Sequence, residues 1–140
     1  MAETKYGNLV HSTDLILDIP HYGGYSMLSH NGELNEDCSI GYHCVSKPIC
    51  FEKPHAHDFT ELLFFLGGDP TDIRDLGAEV EITLGEEQEK HLLTTAGVVS
   101  IPAGLTHCPI DIRNVTKPIV FLEVSLTRVY GPRVASGEEE

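Results

Sequence analysis

The stretch Pro54-His55-Ala56-His57-Asp58-Phe59-Thr60-Glu61-Leu62-Leu63-Phe64-Phe65-Leu66-Gly67-Gly68 decides how the chain is read. In extended backbone the side chains alternate faces, so His55 and His57 project the same way with their stems roughly 7 Å apart. Glu61 falls four residues after His57, and a straight strand would carry it roughly 13 Å further along, too far to share one ion with the imidazoles. A turn is therefore expected at residues 58–60, where Asp58 favours bending by bonding its side chain to nearby backbone. Residues 62–66 then read as a short buried strand, which Gly67-Gly68-Asp69-Pro70 stops.

A second stretch complements the first. Residues 98–101 (Val-Val-Ser-Ile) are strand-like, Pro102-Ala103-Gly104 is a turn, and His107 opens another extended run over residues 107–115. Taken together, three imidazole nitrogens and one carboxylate oxygen suit a divalent first-row transition metal better than calcium or magnesium, which take oxygen ligands.

On these residues the sequence resembles the cupin superfamily. His55-x-His57-x-x-x-Glu61 with Gly68 seven residues on is similar to the end of the first cupin motif, and Gly97 with Pro102-x-Gly104-x-x-His107 is similar to the second. The resemblance covers roughly residues 40–126. It implies an all-β, double-stranded β-helix (jelly-roll barrel), with His55, His57, Glu61 and His107 as ligands of one divalent metal ion. Iron is the first choice, with manganese, nickel, zinc and copper as alternatives. The fold leaves the reaction open, because cupins host very different chemistries.

Length and composition bound the rest. The chain of 140 residues is the size of one domain with a real core. Nine Lys and Arg stand against 22 Asp and Glu, a net charge of -13, which disfavours nucleic acid and anionic membranes as partners. The start lacks a basic segment followed by an apolar run, and residues 62–66 are the longest aliphatic-aromatic run, so neither secretion nor membrane insertion is expected. Cys38, Cys44, Cys50 and Cys108 form no Cys-x-x-Cys pair, which favours reduced thiols and a cytoplasmic location.

Three regions are expected: an N-terminal extension over residues 1–37 with a strand near 15–19, the barrel over 38–130, and an acidic, disordered tail over 131–140. The resemblance implies that the N-terminal segment pairs with a neighbouring subunit, hence a homodimer. Asp69 as N-cap, Pro70 at the first helical position and Gly77 as stop predict a short helical turn near residues 70–76. Alternation over 79–84 predicts a strand with Val80, Ile82 and Leu84 buried, and residues 85–88 a hairpin bend. His21 and His30 read as solvated loop residues.

Candidate substrate-binding residues come from parity. Strand 38–45 puts Tyr42 on one face and His43 on the other, and periodicity leaves open which turns inward. By parity with His107, Asp111 and Arg113 are candidates to face the cavity, where Arg113 would hold a substrate carboxylate. The run 119–127 has a Phe121-Glu123-Ser125 face that is a further polar-inward candidate.

Four protein ligands leave positions on a six-coordinate ion for water or substrate. The expected function is therefore a metal-dependent enzyme acting on a small molecule. The leading reading is an oxidoreductase of dioxygenase type, with Glu61 as ligand and catalytic proton acceptor. The alternatives are a non-redox lyase, isomerase or decarboxylase, and a ligand-binding module without turnover.

Overall fold

The structure is a computed structural model describing residues 4–130; the tail expected at 131–140 lies outside them. Ten strands form two antiparallel sheets. One sheet runs in the order β1 (Ile16–Ile19), β2 (Gly24–Ser29), β3 (Ser39–Val45), β10 (Ile119–Ser125), β5 (Glu61–Gly67), β8 (Gly97–Ile101). The other runs β4 (Ile49–Phe51), β9 (His107–Arg113), β6 (Asp75–Leu84), β7 (Glu89–Thr95). The two sheets face each other as a jelly-roll barrel. Short 3-10 turns at Gly7–Leu9, Thr13–Leu15 and Pro20–Tyr22 accompany the first two strands. Among the described residues no helix is long and apolar enough to cross a membrane.

Alternation places the core. Leu63 and Phe65 of β5, Val80 and Ile82 of β6, Ile110 and Ile112 of β9, and Phe121 of β10 are all fully buried. Phe65 and Phe121 are register partners whose rings stack with centroids 5.0 Å apart. These side chains form the apolar part of the barrel interior. Other inward positions of the six-stranded sheet are polar: Ser39, His43, Glu61, Glu123 and Ser125 are each at most 2% exposed, with His43 opposite Phe121 and Glu123 opposite Leu63 in register. Buried polar groups persist in a core only when partnered, so this polar set is the part of the fold that asks for a functional account.

The helical turn expected near 70–76 is instead two consecutive turns. Asp72 N–H donates to the Asp69 carbonyl and Asp75 N–H to the Asp72 carbonyl, each at 3.2 Å. Asp69 and Asp72 each accept a backbone N–H two residues on, from Thr71 at 2.9 Å and Arg74 at 3.1 Å. Residue types that cap helices also close side-chain turns, and here β6 resumes at Asp75 before a helix can propagate. Gly77, expected as a helix stop, lies inside β6 at φ +81°. Its carbonyl accepts the Thr116 and Lys117 N–H groups.

Candidate metal centre

The His55 and His107 side chains are brought together by backbone. Their main chains form an isolated antiparallel bridge, His55 N–H donating to the His107 carbonyl at 3.0 Å and His107 N–H to the His55 carbonyl at 2.9 Å. Directly opposed residues put their side chains on the same side, and the two rings lie 4.5 Å apart. The turn after β8 is anchored on the same segment, because Gly104 N–H donates to the His57 carbonyl at 2.7 Å. Gly104 holds φ +88°, a conformation open to glycine, as the Pro102-x-Gly104 pattern requires.

Glu61 reaches the imidazoles through the anticipated turn, a bend at Asp58 and Phe59. It opens β5 and is fully buried. Its two oxygens have different neighbours. Oε2 accepts the Ser125 hydroxyl at 3.2 Å and lies 3.5 Å from the Tyr130 hydroxyl. Oε1 faces His107 Nε2 at 3.4 Å and His57 Nε2 at 3.8 Å. Donor atoms of His57, Glu61 and His107 all lie within 4.8 Å of one another. His55 stands beside this group, its ring 4.8 Å from that of His57 and 4.5 Å from that of His107.

This arrangement fits a divalent transition metal. His55 Nδ1 lies 2.8 Å from the Lys53 carbonyl and His107 Nδ1 3.1 Å from the Leu105 carbonyl. A carbonyl only accepts, so both Nδ1 atoms carry the proton and both Nε2 atoms offer a lone pair, the tautomer a metal-binding histidine needs. With Oε2 held by Ser125, the carboxylate turns a single oxygen toward the rings. Of these side chains His55 and His57 are partly exposed, that of His57 at 19%, whereas those of Glu61 and His107 are at 0%.

A buried polar chain adjoins this centre. Ser26 Oγ pairs with His43 Nδ1 at 2.7 Å, and His43 Nε2 stands 3.3 Å from one Glu123 oxygen. His30 Nε2 is 3.1 Å from the other. The His30 ring stacks on Tyr130 at 4.7 Å, and Tyr22 stacks on His43 at 4.1 Å. Gly41 makes the room: a Cβ there would come within 2.8 Å of both Glu123 Cδ and His43 Nε2.

Several sequence expectations change here. His43 is the inward residue of β3, and Tyr42, 41% exposed, faces out. His30, read as solvated, is 3% exposed and packed against Tyr130. Asp111 and Arg113 do not face the cavity. Between Ile82 and Leu84 β6 advances two residues while β9 advances three, from Ile110 back to His107. This bulge resets the alternation, so Ile110 and Ile112 point inward while Arg113 pairs outside with Asp111 at 3.0 Å and Glu79 at 3.4 Å. The Asp111 bond, followed by Glu79 and Glu81, pushes the Arg113 guanidinium still higher than its ordinary range.

Sequence reasoning missed Tyr130 and the burial of His30. Neither lies in a strand whose period would flag it. The Phe121-Glu123-Ser125 alternation and the His43 candidate pointed toward this network, in which Glu123 and Ser125 are each 1% exposed and His43 2%.

No protein-family model matches the chain, and no curated protein matches it in sequence. Solved structures do. An oxalate decarboxylase of Bacillus subtilis, described with Mn(II) centres, is similar over 84% of this chain and 29% of its own, at 18% identity and a TM-score of 0.54. Peruvianin-I, a cysteine peptidase from Thevetia peruviana latex, is similar over 91% of this chain and 77% of its own, at 12% identity and 0.60. FeII HppE is similar over 72% and 48%, at 15% and 0.50. The chain thus spans under a third of the decarboxylase and about half of HppE, and identities this low establish a shared fold.

Proposed function

We propose that this chain, whose fold is that of the cupin superfamily, is a metal-dependent enzyme acting on a small molecule, an oxidoreductase of dioxygenase type. The observation that carries the metal is the donor set: His57, His107 and one oxygen of Glu61 lie within 4.8 Å of one another with the His55 ring beside them, and the His55 and His107 rings are fixed in the ligating tautomer by backbone carbonyls. Bound divalent iron supplies a Lewis acid for an enolisable, thiol or phenolic substrate and a redox partner for dioxygen. The chain's own residues set the rest. Substrate enters past the partly exposed His55 and His57, and the surrounding barrel excludes bulk water from the fully buried Glu61 and His107. Tyr130, whose hydroxyl stands 3.5 Å from both Glu61 Oε2 and His57 Nε2, holds a proton at the edge of the donor set.

That hydroxyl, with the buried Glu123 behind it, also favours a second reading: a non-redox lyase, isomerase or decarboxylase that moves a proton on and off carbon. One experiment separates the two. Metal content is measured on the protein as isolated, and anaerobically iron(II)-loaded protein is then offered diketones, thiols and phenols in an oxygen electrode. Substrate-dependent oxygen uptake is expected. Silence across the panel overturns the oxidoreductase reading, and turnover with zinc or manganese without oxygen uptake selects the other.

A further inference from the structure

One metal-ligating side chain beside the centre is not used by it. Cys108 follows His107 on β9 and is 3% exposed. In a regular strand it would point away from the side His107 faces, but the bulge and its own φ of +89° change its direction. That conformation is uncommon for any residue but glycine, and such positions collect at functional sites. The result is a second donor cluster: Cys108 Sγ and one nitrogen each of His55 and His107 lie within 4.8 Å of one another. Cys108 also lines a groove on the outer side of the β9–β6 sheet, with Pro54 and Thr106.

We propose that His55, His107 and Cys108 form a second metal site, one that takes a thiophilic ion such as Zn2+, Cd2+ or Cu+. The two histidines are common to both clusters, so the donor sets compete for them: nitrogen and carboxylate oxygen on the Glu61 side, nitrogen and sulfur on the Cys108 side. Thiolate sulfur favours soft ions, while carboxylate suits manganese and iron(II). Donors on one tetrahedral zinc stand roughly 3.5 Å apart, so the three groups close by at most about 1.3 Å on binding. As the sulfur–metal bond forms, the thiol proton leaves to solvent and nothing is oxidised.

The test uses metal-free C38S/C44S/C50S protein, in which Cys108 is the sole thiol, titrated with Cd2+. A sulfur-to-cadmium charge-transfer absorption saturating at one equivalent is expected, and it is lost on adding H55A or H107A. E61Q leaves that absorption in place while weakening Mn2+ binding read by electron paramagnetic resonance, and C108S leaves Mn2+ binding in place, which also verifies that this variant is folded. The proposal is overturned if the triple variant gives no such absorption, if it survives both histidine substitutions, or if E61Q abolishes it. Because Mn2+ and Cd2+ are read separately, failure of the Glu61-centred reading and failure of this one give different results.

Discussion

Replacing His107 with alanine tests the centre most directly. Free Mn2+ at 100 times its dissociation constant stabilises a protein that binds it only when folded by about 2.7 kcal/mol. For a chain of this length each kcal/mol moves Tm by roughly 4 °C, so loading the wild-type protein raises Tm by about 10 °C. His107 Nε2 stands 3.4 Å from Glu61 Oε1, and both side chains are fully buried. H107A therefore removes a donor and empties a buried site beside the carboxylate. The cavity left by a buried side chain of this size costs about 2–5 kcal/mol. Metal-free H107A should melt below metal-free wild type, and added Mn2+ should give it little or no further rise. Differential scanning calorimetry with and without Mn2+, paired with elemental analysis, reads both effects. A variant that keeps one equivalent of metal and the full 10 °C rise would refute the assignment of His107 as a ligand.

Glu61→Gln keeps the shape of the side chain but loses its charge: metal occupancy should fall, while metal-free stability should hold or rise because a buried charge is gone, and a lower metal-free Tm would count against that account. Phe121→Ala, which empties one side of the Phe65 stack, should cost about 3–5 kcal/mol in urea unfolding without changing metal stoichiometry. Arg113→Ala, on the outer face with Asp111 and Glu79, should leave metal content and any oxygen uptake unchanged; loss of either would return Arg113 to the cavity. Asp69 has its carboxyl held below the ordinary range by the Thr71 hydroxyl and then by the Thr71 amide. A lowered folded value means its contribution is present above the unfolded pKa and is lost as pH falls through the folded one. Thr71→Val should move the Asp69 titration, followed by carboxyl NMR, back up toward the ordinary value, and an unmoved curve would exclude that cause.

Much of the fold was legible because it rests on short-range patterns. The alternation in residues 79–84 matches β6 as far as Val80 and Ile82, at 0% exposure, and breaks at the bulge, where Thr83 is buried and Leu84, expected inside, is only partly so; the bend that returns Glu61 to the histidines lies at Asp58 and Phe59. The tandem turns at 70–74 were misread because aspartate caps a helix and closes a turn by the same side-chain bond, and only the distance left before β6 chooses between them. Parity arguments failed on β9 for a different reason. A single inserted residue flips every position beyond it, and whether it is inserted depends on how β9 pairs with β6.

The sequence by itself, through the two motifs that resemble those of the cupins, pointed to the fold class and to His55, His57, Glu61 and His107, because motif spacing, strand period and turn residues are local properties of the chain. Only the tertiary structure decided what surrounds them. His30, Glu123 and Tyr130 are far apart in the chain and become neighbours through the pairing of β10 with β3 and β5 and the isolated bridge of Asn31 with Val129. Which face of β3 turns inward, and on which side of His107 the thiol of Cys108 lies, are likewise set by sheet packing and a bulge. Those are contacts between distant segments, which no local pattern encodes.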